Sequence, residues 1–203
     1  RYISVTGVQT CALPILQGAM SAPKAIIGPH AGYPYSGTVA ARAYAPLAAL
    51  RGQISRVVLI GPSHHIAYQG LAIDTMAAWS TPLGTVELDT ETIERLRQTN
   101  LVGTLDAAFT REHALEVHVP FLQHVLGDFK LVPIVAGDAA PEHVAAVFDT
   151  LWGGPETLIV VSTDLSHYLD YDACRETDIR TADAIEHFAF ERDRKSTRLN
   201  SSH

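Results

Sequence analysis

Residues 57–65 read VVLIGPSHH, an unbroken apolar run followed at once by a glycine-proline turn and two histidines. An apolar run that is followed by a histidine-bearing turn occurs twice more, as AIIGPHAGY at residues 25–33 and as LIVVSTDLSH at residues 158–167. Short continuous apolar runs are typical of strands that are buried on both faces of a parallel sheet. Because ligands collect at the carboxyl ends of such strands, we expect the three segments to converge on one site.

Predicted strands and helices alternate along the chain. The predicted strands are residues 24–28, 56–61, 71–74, 84–88, 131–135 and 157–161, and the predicted helices are residues 37–50, 90–98, 120–125, 141–151 and 172–190. Residues 84–88 are expected to form an edge strand. This order predicts an α/β fold with a mainly parallel central sheet and helices on both faces.

The two ends of the chain lack this patterning. Residues 5–15 and 193–203 have no strand or helix period, and they back-translate to complementary strands of one DNA duplex that resembles a sequencing-library adapter. We therefore interpret residues 1–22 as adapter-derived and junction sequence, and residues 193–203 as adapter-derived sequence. Residues 23–192 are expected to form a single domain that is truncated at both ends.

Composition argues against several classes of partner. The net charge is -7 at pH 7, with 15 basic and 22 acidic residues, so the chain is not expected to attract nucleic acid or an anionic membrane. No apolar run approaches the roughly 18 residues of a membrane-spanning helix. Two cysteines exclude a disulfide framework, which fits a cytoplasmic location.

The histidines after the first two strands are candidates for a metal or acid/base centre. Neutral imidazole is the commonest transition-metal ligand, and its pKa also suits proton transfer near neutrality. His30 lies in a rigid turn with small neighbours, where a ligand can approach closely. His64 and His65 are adjacent, so their side chains diverge in extended backbone, and we expect His64 to point inward and His65 away.

Two further groups could support this centre. Asp164 and His167 are three residues apart, which on a helical turn places carboxylate and imidazole on one face as an oriented general base. An equally ordinary alternative is that Asp164 caps a short helix.

A second cluster consists of Glu112, His113, Glu116 and His118, and its spacing is not that of the zinc motif HExxH. His113 and Glu116 either support the site or lie on a solvated face. Tyr33 and Tyr35 either line a substrate pocket or are half-buried structural residues.

Six sequence blocks resemble the Memo family, whose bacterial and archaeal members are called AmmeMemoRadiSam system protein B. The blocks occur in the family's order and read AIIGPHAGYPYSG, VVLIGPSHH, TPLG, EHALEVHVPFLQ, LVPIVAG and STDLSHY. The resemblance covers residues 23 to about 190. It implies a fold similar to that of class III extradiol (LigB-like) dioxygenases, which use non-haem iron.

The resemblance also implies roles for individual residues. His30 and His64 would be metal ligands, with iron expected and copper or zinc as alternatives. His167 would be the acid/base residue, with Asp164 beside it and His113 in support. The family's third protein ligand is a cysteine in a later ACG-type segment, which this chain does not contain. Tyr33, Tyr35 and Glu116 are expected to contact substrate.

The expected function is accordingly a redox or oxygen-dependent activity on an unknown small molecule or peptide. The first alternative is a non-catalytic scaffold that holds a peptide or partner in the same pocket, because fold kinship does not establish chemistry. The second is metal-assisted hydrolysis. The resemblance also implies AMMECR1-like and radical SAM proteins as partners.

Overall fold

The computed structural model describes residues 23–187 and residue 189, so the two segments interpreted as adapter-derived lie outside the described residues. The described part divides into two compact units, residues 23–163 and residues 164 onward. The first unit contains the whole sheet, and the second contains one long helix. Among the described residues, no helix is long and apolar enough to cross a membrane.

The first unit alternates strands and helices, as the sequence predicts. Its strands are β1 (Ala25–Gly28), β2 (Arg56–Pro62), β3 (Leu71–Ile73), β4 (Ala78–Thr81), β5 (Gly84–Glu87), β6 (Gly103–Thr104), β7 (Lys130–Ala136) and β8 (Thr157–Ser162). Its α-helices are α1 (Tyr33–Tyr44), α2 (Thr90–Gln98), α3 (Val119–Leu126) and α4 (Pro141–Leu151), and α5 (Tyr171–Glu186) belongs to the second unit. Short 3₁₀ helices cover Ala45–Leu50, Asp106–Ala108 and Glu116–His118.

The central sheet has six strands in the order β1-β8-β2-β7-β3-β6. Its first four strands are mutually parallel, and β3 pairs antiparallel with β7. The sheet is therefore mostly parallel and flanked by helices, as expected. Since β8 lies between β1 and β2, the carboxyl ends of these three strands are neighbours.

The burial of β2 shows that both faces of the sheet are covered. Five consecutive residues of this strand, 57–61, are buried, although successive side chains in a strand point to opposite faces. Strand β7 likewise buries residues 131–135. An unbroken apolar run is the pattern that a two-sided environment requires, which is why VVLIG reads as a core strand.

Two local predictions were wrong in detail, and one feature of the sheet was not predicted. Helix α1 begins at Tyr33, four residues earlier than predicted, because Pro34 fits the first turn of a helix. Strand β5 pairs with β4 in a separate two-stranded hairpin and is not an edge strand of the central sheet. Strand β3 runs antiparallel to β7, which three residues of sequence could not reveal.

Candidate functional site

Three imidazole rings meet at the carboxyl end of the parallel strands. His30 follows β1, His64 follows β2, and His113 lies in the loop before the Glu116–His118 turn. Ring centroids are 5.1 Å apart for His30 and His64, 5.8 Å for His64 and His113, and 6.1 Å for His30 and His113. His64 and His65 are both exposed, but the His64 ring contacts the rings of His30 and His113.

His30 and His64 are close enough to serve one metal ion. A ring nitrogen of one lies within 4.8 Å of a ring nitrogen of the other. Nitrogen–metal bonds are about 2.0–2.1 Å long for zinc, so small side-chain rotations would bring both nitrogens to a common ion. The pair therefore fits the donor chemistry of a transition-metal site.

His64 is held by a buried carboxylate. Glu112 lies within hydrogen-bonding distance of the His64 ring, 2.9 Å from Oε1 to Nδ1, and its Oε2 accepts from the His64 backbone N–H at 2.6 Å. Glu112 Oε1 also accepts from the backbone N–H of Ala114. Burial alone would raise the pKa of Glu112, but the hydrogen bonds from His64 and Ala114 outweigh it and hold the pKa below its ordinary value.

The ionised state of Glu112 decides the tautomer of His64. A carboxylate can only accept hydrogen bonds, so His64 must donate through Nδ1–H. The ring's lone pair is then on Nε2. A carboxylate that orients a histidine in this way is the usual support of a metal ligand.

His30 has a different supporting group. It is 2% exposed, and its Nδ1 lies 2.7 Å from Oγ of Ser162, the last residue of β8. Because β8 lies between β1 and β2, the sheet order itself brings this hydroxyl to the histidine.

Asp164 and His167 lie in the second unit, which is described by itself. The segment that carries them is not helical, and Leu165 and Tyr168 have positive φ values of 62° and 56°. The predicted helical turn was therefore wrong. Asp164 does not cap helix α5 either, since its N-cap is Asp170. The convergence of His167 with His30 and His64 stays a prediction.

A cavity of about 370 Å³ adjoins the support of His64. Glu112 forms part of its wall, together with Glu116 and the aromatic rings of Trp79 and Phe109. The cavity thus reaches the carboxylate that holds His64, although His30, His64 and His113 are not themselves in its wall. Glu116 was predicted to contact substrate, and its position in the wall is compatible with that role.

The two predicted tyrosines differ in position. The Tyr33 hydroxyl donates to the carbonyl oxygen of Val117 at 3.2 Å, and burial, followed by the negative charge of Glu116, raises its pKa. Tyr35 is 66% exposed, and neither tyrosine is part of the cavity wall. Tyr33 is therefore the one that lies beside Glu116.

Three residues near the histidines were given no role by the sequence. Glu112 was noticed only as a member of a charged cluster, although its position beside His113 was a usable signal. Ser162 comes directly after the predicted strand 157–161 and carries no local signature. His118 is fully buried in the core, where it contacts Ser162.

Comparison with known proteins identifies the family of this chain. A family model described as Memo-like protein matches residues 8–197, a range that extends beyond the predicted domain, 23–192, on both sides. The division of the chain at those two limits stays a prediction.

Several curated relatives match most of the chain. A MEMO1 family protein of Methanothermobacter thermautotrophicus is 37% identical over 177 residues, which are 83% of this chain and 62% of the relative. One from Thermotoga neapolitana is 38% identical, covering 81% and 61%, and one from Methanosarcina acetivorans is 39% identical, covering 77% and 59%. The chain thus spans about three fifths of the length of these relatives. It belongs to the Memo-like protein family.

Proposed function

We propose that this chain is part of a metal-binding protein with a non-haem dioxygenase-like site and a redox or oxygen-dependent activity. The observation that carries the proposal is the pairing of His30 and His64, whose ring nitrogens approach within 4.8 Å while each Nδ1 is hydrogen-bonded to a side-chain oxygen. Supporting oxygens of this kind are typical of metal-ligating histidines. The resemblance to the Memo family supports the same site.

His30 and His64 would hold the ion through their imidazole nitrogens. Iron is the first choice, and copper and zinc are alternatives, because imidazole suits all three metals. When bound, the ion would supply a redox centre or a Lewis acid with open positions. A third ligand, a cysteine outside this chain, would complete the set by family resemblance.

The protein's own groups would prepare the site for chemistry. Glu112 would keep His64 in one tautomer and add negative charge beside it. The His113 ring lies nearly parallel to that of His64, and its side chain is 48% exposed, so it could exchange protons with solvent beside the two ligands. The acid/base role of His167, with Asp164, rests on the resemblance alone.

The substrate would occupy the cavity next to Glu112. Its wall offers the rings of Trp79 and Phe109 for an apolar body and the carboxylate of Glu116 for a hydrogen-bond donor. Association with AMMECR1-like and radical SAM proteins belongs to the proposal through the resemblance alone. A cytoplasmic location belongs to it through the cysteine content, which gives no disulfide framework.

Metal titration of the purified chain tests this proposal. Fe(II) and Cu(I), under anaerobic conditions, and Zn(II) would be titrated into the wild type and into the variants His64→Gln and His65→Gln, with folding checked by circular dichroism. His64→Gln should weaken binding at least tenfold, the lower limit for loss of even a supporting group. His65→Gln is the matched control and should leave the affinity unchanged.

The outcomes separate the candidate functions. Tight selection of iron or copper by the chain and by a full-length relative would support redox chemistry, whereas selection of zinc would favour hydrolysis. The chain should bind roughly a hundredfold more weakly than the relative, because two imidazoles leave most positions to water. No binding by either folded protein would contradict the metal site and favour the scaffold.

A further inference from the structure

A row of buried polar side chains lies behind His30. Ser162 Oγ is 2.7 Å from His30 Nδ1 and 2.8 Å from His118 Nε2. On the far side of its ring, His118 Nδ1 is 2.6 Å from the hydroxyl of Tyr44. All four residues are 3% exposed or less, so these contacts are made inside the core.

The direction of each hydrogen bond follows from one carbonyl group. Ser162 Oγ also donates to the backbone oxygen of Ala114 at 2.6 Å, and a carbonyl oxygen can only accept. A serine hydroxyl has one proton and two acceptor positions. Since its proton goes to Ala114, Ser162 must accept from both imidazoles, from His30 through Nδ1–H and from His118 through Nε2–H.

The assignment continues consistently to Tyr44. With Nε2 protonated, neutral His118 carries its lone pair on Nδ1, which accepts from the Tyr44 hydroxyl. Burial raises the pKa of Tyr44 far above its ordinary value, so the phenol keeps the proton that it donates. Each polar hydrogen in the row thus has one acceptor.

The fold encloses this row tightly. A Cβ atom on Gly28 would lie 3.3 Å from His118 Cε1, and one on Gly61 would lie 3.0 Å from Ser162 Cβ. These glycines end β1 and come near the end of β2, on either side of β8. The strand backbones at Gly28 and Gly61 therefore pack closely against the side chains of His118 and Ser162.

We infer that Ser162 is a positioning residue that fixes His30 as the Nδ1–H tautomer and so places the ring's lone pair on Nε2. His118 and Tyr44 hold the Ser162 hydroxyl in the orientation that this requires. The inference deepens the proposed function and rests on it in one respect, namely that Nε2 of His30 would be a ligand atom. The tautomer of His30 is set by the hydrogen bonds of this chain and does not require a bound metal.

Nitrogen NMR of the metal-free protein tests the inference. Long-range ¹H–¹⁵N correlation distinguishes the two neutral tautomers, and about pH 8 keeps an ordinary imidazole neutral. In the wild type, His30 should appear as the Nδ1–H form and His118 as the Nε2–H form. In the Ser162→Ala variant, His30 should become a mixture of the two neutral tautomers. The affinity of this variant for metal should be roughly tenfold lower than that of the wild type.

Ser63→Ala is the matched control, because Ser63 lies beside His64 and its hydroxyl donates to the backbone oxygen of Ile66. This variant should leave the His30 spectrum unchanged. An Nε2–H form of His30 in the wild type would overturn the inference, and so would an unchanged tautomer in folded Ser162→Ala. If that variant does not fold, the wild-type spectrum alone decides. The expected tautomers in a protein that binds no metal would support the inference while contradicting the proposed function.

Discussion

His30 and His64 are both hydrogen-bonded through Nδ1 to a side-chain oxygen, but the surroundings of the two bonds differ. His30 is 2% exposed, and its partner Ser162 is an uncharged hydroxyl inside the sheet. The His64 side chain is 33% exposed, and its partner Glu112 is an ionised carboxylate in a cavity wall. One histidine is thus positioned by a neutral hydroxyl, and the other by a negatively charged carboxylate.

A second pair explains why Glu112 stays ionised. Asp74 is another buried carboxylate in the same cavity wall, yet its pKa is raised by burial and, in addition, by the negative charge of Asp106. Hydrogen bonds from Trp79 and the Met76 backbone, with the charge of Arg97, offset this rise only in part. Glu112 is buried too, but its hydrogen bonds from His64 and Ala114 lower its pKa. Since both carboxylates are buried, the number and kind of hydrogen-bond donors account for the opposite directions of their pKa shifts.

The largest expected effect comes from removing Glu112. Glu112→Ala leaves two backbone N–H groups and one imidazole without their acceptor, and each such loss costs about 1–3 kcal/mol. We expect the free energy of unfolding to fall by about 2–4 kcal/mol, since cavity water can replace part of the bonding. Urea unfolding followed by circular dichroism measures the change.

Glu116→Ala is the control for Glu112→Ala. Glu116 lies in the same cavity wall but is exposed, so its loss should change stability by less than about 0.5 kcal/mol. Equal effects of the two substitutions would show that Glu112 is not the support of His64 that its contacts indicate.

The next largest expected loss of stability tests how closely the strand backbones pack around Ser162, the partner of His30. Gly61→Ala would place a Cβ atom 2.8 Å from Leu115 Cδ2 and 3.0 Å from Ser162 Cβ. Overpacking of this kind typically costs about 1–3 kcal/mol. We expect a loss of that size in urea unfolding, together with altered NMR signals of His30.

The control is Gly37→Ala, a glycine-to-alanine substitution that should raise stability instead of lowering it. Gly37 lies within helix α1, where an added Cβ meets only Tyr33 Cβ at 3.7 Å, an ordinary contact. Alanine should stabilise the helix by about 0.5–1 kcal/mol. If Gly61→Ala were equally stabilising, the enclosure of Ser162 would be looser than described.

The smallest expected effect concerns the charge of Asp74. Because its folded-state pKa is raised above the ordinary 3.8, the wild type loses stability as pH rises through 3.8, and the loss is complete above the raised value. Asp74→Asn removes this loss and still accepts a hydrogen bond from Trp79. The variant should therefore gain stability relative to wild type between about pH 3.5 and pH 7 in urea unfolding. A pH-independent difference would contradict the contrast with Glu112, whose contribution is lost only as pH falls below 4.5.

Local signals in the sequence were sufficient for the regular elements. Helices at residues 90–98 and 141–151 were predicted with the bounds that α2 and α4 have, because Asp89 caps the first and Pro141 begins the second. The hairpin of β4 and β5 and the direction of β3 were not predicted. Strands of three or four residues are too short for their hydrophobic pattern to indicate which strands they pair with.

Local patterns likewise predicted the histidines of the candidate site but not their hydrogen-bond partners. Strand-then-turn patterning placed His30 and His64 at one edge of the sheet, and the structure brings them together. It gave no means of finding Ser162, which is 132 residues from His30 along the chain. Glu112 is 48 residues from His64, and only its place in the EHALEVH block hinted at a role.

The sequence by itself determined the α/β class, the family and the strands that end in histidine, because apolar runs, turns and motifs are local properties. Only the tertiary structure decided which oxygen each histidine meets. The order β1-β8-β2 places a neutral hydroxyl beside His30, and the loop before the Glu116–His118 turn places a carboxylate beside His64. Hydrogen bonds depend on distances of about 3 Å between groups far apart in sequence, and strand order fixes those distances.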